Sequence, residues 1–286
     1  MPGTTDPDGY GWYGRELRVA RAAAEEAGEM LRARFNDVWE VRPKGDDGDV
    51  VTELDLAAER IVLGRLRDAF PGDRIWSEEA GVLDGSAART WLVDPLDGSN
   101  NVAIGLPVYA VGIGLCVDGM PMVGVVHEPH TGSTWHAILG GGVFQGARPL
   151  DPPPPSSSSG LVVAWTQGHA VSRDDVPAAE LRGVLERHTR RVLPLWAPLL
   201  GWTMLARGSI DGFVGYCAEA VDFPPGALLA MEAGAEFRTL LGGPFRVGFS
   251  GPDSTRCFVA GRPGALERLV ELTSGVMAGR TVLPTG

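Results

Sequence analysis

Apolar residues recur at helical spacing from Arg15 to Phe35, at Leu17, Ala20, Ala24, Ala27, Leu31 and Phe35, beneath a charged face, which predicts a helix. Residues 36–50, rich in Gly and Asp, read as a loop. A second helix is expected to begin near Thr52, because TELD puts a hydroxyl at the N-cap and an acid three positions on. Leu56, Ile61, Leu63, Leu66 and Phe70 give that helix an apolar side, and PGD at 71–73 ends it.

From there the pattern changes to strands: RIW, TWLVD, YAVGIGLCV, PMVGVVHE and STWHAIL, with Gly or Pro between them, which predicts a sizeable, largely antiparallel sheet. The segment DPPPPSSSSG, residues 151–160, cannot pack a core and reads as an exposed linker. The expected division is an N-terminal α+β lobe, residues 1–150, and a C-terminal α/β lobe, residues 151–286. In the second lobe strand LVVAW, helix AAELRGVLERH, strand RRVLPLW, helix GWTMLARG and strand GFVGY alternate. A helix over 225–233, strands near 236–241 and 256–260, and a last helix over 263–277 follow.

A chain of 286 residues with 44% hydrophobic side chains can bury a large core. The net charge of -11, with no basic stripe, argues against nucleic-acid binding, which needs clustered cations. No apolar window is long enough to span a bilayer, and the first residues have no signal-peptide pattern, so a cytoplasmic protein with no membrane partner is expected. Cys116, Cys217 and Cys257 are far apart in sequence among apolar neighbours and read as buried free thiols. Of the 25 basic side chains only Lys44 is a lysine.

Candidate chemistry centres on WLVDPLDGSNNV, residues 91–102. Asp94 closes an apolar run, and Pro95 after it should stop the strand ladder, so the carboxylate is delivered at a strand end. Asp97 can turn back to the same side, Gly98 lets the backbone approach a ligand, and Ser99 can open a short helix whose free N–H groups face an anion. Carboxylates suit magnesium and backbone amides suit phosphate, so the segment suits a metal-phosphate pair. Spacing alone leaves an ordinary Asx/Pro turn as the alternative.

DPLDGS is preceded by SEE at 77–79 and DVVTELD at 49–55, and followed by VD at 221–222 ahead of MEAGA at 231–235. In that order these motifs resemble the inositol monophosphatase family of magnesium-dependent, lithium-sensitive phosphatases, over about residues 44–264. The resemblance implies a five-layer α-β-α-β-α sandwich of the sugar phosphatase type, a homodimer, two or three Mg2+ ions and a phosphorylated small-molecule substrate.

It also implies roles. Glu78, Asp94 and the Leu96 carbonyl would hold one magnesium, and Asp94, Asp97 and Asp222 a second, with Asp94 bridging. Asp55 and Ser99, the latter where the family usually has Thr, would orient the attacking water. Glu79 would support the metal site, the Gly98 and Ser99 N–H groups would hold phosphate, and Lys44 matches a family lysine in a loop near the metals. Thr52 is read as a helix cap. The five histidines show no metal spacing; Trp165, Trp196 and Trp202 could stack on a nucleoside base, but at these positions in strands and a helix they are read as core.

The chain departs from the family at AVDFPPGALL, where Val221 replaces Trp and Pro224 and Pro225 replace small residues, at Ala235, and at DGSNNV. Gly215 stands where animal members place a Glu that contacts inositol, while Glu219 lies near the same rim and is a candidate contact for substrate hydroxyls. The expected activity is hydrolysis of a small polyol or sugar phosphate. The alternatives are a nucleotide phosphatase for NADP(H) or 3'-phosphoadenosine 5'-phosphate, and a non-catalytic binding protein that kept the fold.

Overall fold

A computed structural model describes residues 11–37, 39–44, 49–151 and 160–278. Helix α1, Gly14–Arg34, leads into strands β1, Val41–Lys44, and β2, Asp49–Thr52, which pair antiparallel. Much of the stretch read as a loop therefore pairs as two short strands, Val41–Lys44 with Asp49–Thr52, outside the larger sheets. Helix α2, Glu53–Ala69, starts where the capping pattern places it.

Strands β3, Asp73–Ser77, β4, Gly81–Leu83, and β5, Ser86–Asp97, precede the short helix α3, Ser99–Ala103. Strands β6, Ala110–Val117, β7, Met120–Glu128, β8, Ser133–Ile138, β9, Val143–Gln145, and β10, Arg148–Pro149, complete an eight-stranded sheet ordered β10-β9-β8-β7-β6-β5-β3-β4. Every pairing in it is antiparallel except that of β3 with β5. The Pro/Ser run falls at 152–159, outside the described residues.

The second sheet is built from β11, Val162–Gln167, helix α4, Val176–His188, β12, Arg191–Leu193, helix α5, Pro198–Ala206, and β13, Gly212–Tyr216. Helix α6, Phe223–Glu232, β14, Glu236–Thr239, β15, Phe258–Gly261, and helix α7, Ala265–Ala278, follow. Its order is β12-β11-β13-β15-β14, parallel among the first three strands and antiparallel thereafter.

Helices α1 and α2 cover one face of the large sheet, α5 and α6 lie between the sheets, and α4 and α7 cover the outer face of the small one. That arrangement is the α-β-α-β-α sandwich. Glycines let the middle helices sit directly on the large sheet, since a Cβ at Gly124 would come 2.5 Å from the Pro225 carbonyl oxygen. Pro225 of the variant FPPG segment thus has a packing partner, and a proline in the first turn of α6 breaks no intrahelical bond.

Trp202 anchors an aromatic cluster with Phe213, Phe223, Phe237 and Phe258 between α5, α6 and the small sheet. Trp165 is also buried, as expected, but Trp196 is not: it is 64% exposed, because it precedes α5 in a loop outside the apolar layer. Among the thiols only Cys116 is buried, and the Cys217 and Cys257 sulfurs lie 3.6 Å apart, since the segments after β13 and before β15 run side by side.

Candidate active site

Pro95 does not stop β5. The strand continues to Asp97 through a register shift against β6, where Asp94 pairs with Gly112 and Asp97 with Ala110. In an unbroken strand residues three apart face opposite sides, and the irregularity instead lets both carboxylates line one pocket. Gly98 then takes φ +98°, and a Cβ there would meet the Val108 carbonyl at 2.8 Å. The glycine is required by this turn and by packing, and α3 starts at Ser99 as anticipated.

Helix α2 delivers Asp55. Thr52 Oγ1 accepts from the Leu54 N–H and donates to Asp55 Oδ2 at 2.5 Å, while the Thr52 N–H donates to the same oxygen at 2.8 Å. The capping box therefore uses one Asp55 oxygen, and the other receives the Ser99 hydroxyl. Thr52 is both cap and positioner. Ser99 Oγ also lies 2.9 Å from the Leu96 carbonyl oxygen, so its single proton has two acceptors. Burial raises the Asp55 pKa against the lowering effect of Ser99 and Thr52.

Glu78 and Glu79 sit in the turn after β3, held by Glu59, which accepts from Ser77 Oγ at 2.5 Å and the Ala80 N–H at 2.8 Å. Glu59 was not anticipated from the sequence, yet it lies one turn after Asp55 on α2, and two acids at that spacing on a helix share a face. Lys44 Nζ donates to Glu78 Oε1 at 2.8 Å and Glu79 Oε1 at 2.7 Å. Burial pulls the ammonium pKa down, and the two carboxylates more than reverse this.

Asp222 arrives from the segment between β13 and α6 as the residue before that helix, where its carboxylate makes no capping bond. Its Oδ1 is buried without a hydrogen-bond partner among the described residues. Glu219 also lines the pocket and accepts from the His169 N–H at 2.9 Å, so it is committed to a loop. Gly215 does not reach the pocket, since a Cβ there would run into the Phe258 ring.

Glu78, Asp94, Leu96, Asp97, Gly98, Ser99, Glu219 and Asp222 thus border one pocket of about 70 Å³, with Asp55, Glu79 and Lys44 behind it. Burial raises the pKa of Asp94, Asp97 and Asp222 well above the usual carboxylate value. Neighbouring carboxylates add to the effect: Glu78, Asp97 and Asp222 on Asp94, Asp222 on Asp97, and Glu219 and Glu78 on Asp222.

A model for the inositol monophosphatase family matches residues 14–277. The chain belongs to this family. Inositol monophosphatase 1 of Solanum lycopersicum is 31% identical to it over 265 residues, covering 85% of this chain and 93% of that one. The fructose-1,6-bisphosphatase/inositol-1-monophosphatase of Thermotoga maritima is 29% identical over 73% of this chain and 78% of its own. The crystal structure of the extragenic suppressor protein SuhB from Bartonella henselae matches in fold, with a TM-score of 0.82 at 23% identity over 94% of this chain and all of that one. Family membership supports a phosphatase, and the family is metal-dependent.

The carboxylate pocket fits a hard divalent cation in its chemistry: its donors are carboxylate and carbonyl oxygens, and Asp222 Oδ1 lacks a partner among the described residues. Among the described residues no three such groups are closed around one point. Two of the side chains have other contacts: Glu78 is held by Lys44, and Asp97 Oδ2 accepts from the Leu199 N–H at 2.7 Å. Asn101, left without a role in the sequence, bonds through Nδ2 to the Val108 and Leu195 carbonyls at 2.7 and 2.8 Å, tying the 195–196 loop to the DPLDG segment.

Proposed function

We propose that this protein is a magnesium-dependent phosphomonoesterase acting on a small polyol or sugar phosphate. The observation that carries this reading is the convergence of Glu78, Asp94, Asp97 and Asp222, from three separated segments, on one pocket where Asp222 Oδ1 has no partner. Glu78, Asp94 and the Leu96 carbonyl hold one Mg2+ in this proposal, and Asp94, Asp97 and Asp222 a second, with room in the scheme for a third. Bound there, the cations supply positive charge for phosphate oxygens and for the charge that develops on the leaving group.

The chain's own residues do the rest. Asp55 holds Ser99 Oγ, and through it the attacking water, at the floor of the pocket. The Gly98 and Ser99 N–H groups receive the phosphate, and Glu219 borders the leaving group. Lys44 and Glu79 keep Glu78 in place until cations compete for it. The protein works as a cytoplasmic homodimer, as the family resemblance implies, and no helix among the described residues is long and apolar enough to cross a membrane. A non-catalytic role is disfavoured because every ligand position and the water-orienting pair are retained.

The test is phosphate release over inositol, sugar and nucleotide phosphates with a magnesium titration, repeated with Asp94→Asn. Turnover that needs Mg2+ and is lost in the variant is expected. Equal inactivity of the native protein on all esters would sink the proposal, as would an Asp94→Asn protein with unaltered metal dependence.

A further inference from the structure

The carboxylate pocket opens beside a larger cavity of about 440 Å³, in the size range of small-molecule sites, and Trp196 borders both. Three observations single out this side chain. It is a bulky residue at φ +53°, a conformation that L side chains rarely adopt. It is 64% exposed, so core packing does not compensate for that backbone. No other ring stacks on it among the described residues, whereas Trp202 is surrounded by rings.

The loop is nonetheless held in place. Asn101, itself buried, bonds to the Leu195 carbonyl, and the Trp196 carbonyl packs 3.3 Å from where a Cβ on Gly98 would sit. The phosphate-side segment therefore positions the indole at the boundary between the two spaces. The larger cavity is walled by Trp165, Leu193 and Phe213 and bordered by Arg173 and Arg182, and no carboxylate lines it. Arg182 is engaged by Glu186 at 2.9 Å, which leaves Arg173 as the cation facing an occupant.

We propose that Trp196 is the specificity-determining platform of this site, on which a planar heterocycle carried by the leaving group stacks. The substrate is then a sugar phosphate bearing a flat base, a nucleoside monophosphate in chemical class, rather than a bare polyol phosphate. This rests on the phosphatase reading and narrows it. An exposed indole offers a flat face that accepts any base, and a cavity without carboxylates does not repel an anionic ester.

The test compares adenosine 5'-monophosphate with ribose 5-phosphate, which differ only in the base. Trp196→Gly suits the left-handed backbone and should fold at least as well as the native chain, while Trp196→Phe keeps an aromatic face. The expected result is that Trp196→Gly lowers the preference for the nucleotide about tenfold, through KM with kcat held, and that Trp196→Phe restores most of it. A preference that does not change, or equal losses on both esters, overturns the proposal. If the native protein hydrolyses neither ester, the phosphatase reading is judged on the inositol and other sugar phosphates, and calorimetric titration with adenosine 5'-monophosphate decides the platform separately. Binding about tenfold weaker in Trp196→Gly supports the platform, and equal binding rejects it.

Discussion

Asp97 at the end of β5 and Leu199 on α5 are joined directly: Asp97 Oδ2 accepts a 2.7 Å hydrogen bond from the Leu199 N–H, 102 residues further along the chain. Leu199 lies in the first turn of α5, whose N-cap residue Ala197 offers no side-chain bond, so a proposed metal ligand also caps a helix packed on the large sheet. Asp97→Asn and Asp97→Ala separate the roles. Both should abolish the rise in Tm on adding Mg2+, but Asn keeps an acceptor for Leu199 and Ala does not. The Ala variant is expected to be about 1–2 kcal/mol less stable than the Asn variant in chelator, measured by urea unfolding. Equal stability would mean that the contact is incidental.

Ser99 and Asp55 give a second comparison. Ser99→Ala removes the hydroxyl on Asp55 Oδ1 and leaves the capping bonds to Oδ2 untouched. Turnover should fall about a hundredfold or more while Tm barely moves, and Ser99→Thr should keep most of the activity. Thr52→Ala should show a mixed effect, losing about 1 kcal/mol of cap stability together with a smaller loss of kcat.

Much of this was legible in the chain. The α2 start was marked by TELD, and five of the ten described strands before residue 151 by their apolar runs, because capping and alternation are local signals. The convergence of Asp94 and Asp222 was not a local signal, and only the family motif implied it. The register shift between Asp94 and Asp97 was hidden because Pro95 reads as a ladder stop, whereas the strand resumes pairing at Asp97. Trp196 was hidden for another reason: hydrophobicity predicts burial, and nothing in LPLWAP shows that a left-handed backbone turns the indole outward.

Lys44 should moderate the metal requirement. Its ammonium occupies Glu78 Oε1 at 2.8 Å, so it competes with a cation for that carboxylate. Lys44→Met is expected to lower the Mg2+ concentration for half-maximal turnover several-fold. A higher requirement in the variant would mean that Lys44 orders Glu78 for the metal instead of contesting it.

Two buried histidines set an acid limit. Burial lowers the pKa of His127, which bonds Thr134 Oγ1 at 2.9 Å, and of His136, which bonds the Gly146 carbonyl at 2.8 Å. A base depressed in the folded state stays neutral there while the unfolded chain takes up protons. Its contribution is present above the unfolded pKa of about 6.5 and is lost as pH falls through the folded value. Urea unfolding should therefore show declining stability below about pH 6.5, and His127→Gln should flatten the slope.

The carboxylate pocket has the opposite sign. Asp94, Asp97 and Asp222 have folded pKa values raised by burial and by one another, so between the unfolded value, near 3.9, and the folded values the folded state binds more protons than the unfolded chain. Their contribution to stability is present at low pH and is lost as pH rises through the folded values. In chelator the native protein should lose stability relative to Asp94→Asn as pH rises through the folded values, a comparison in which the contributions of His127 and His136 cancel. Mg2+, which replaces the lost protons as counter-charge, should raise Tm more at pH 8 than at pH 6. A magnesium effect independent of pH would place the ion outside this cluster. Asp94→Asn in chelator should be more stable than the native chain at pH 8, because it removes one member of the repelling set.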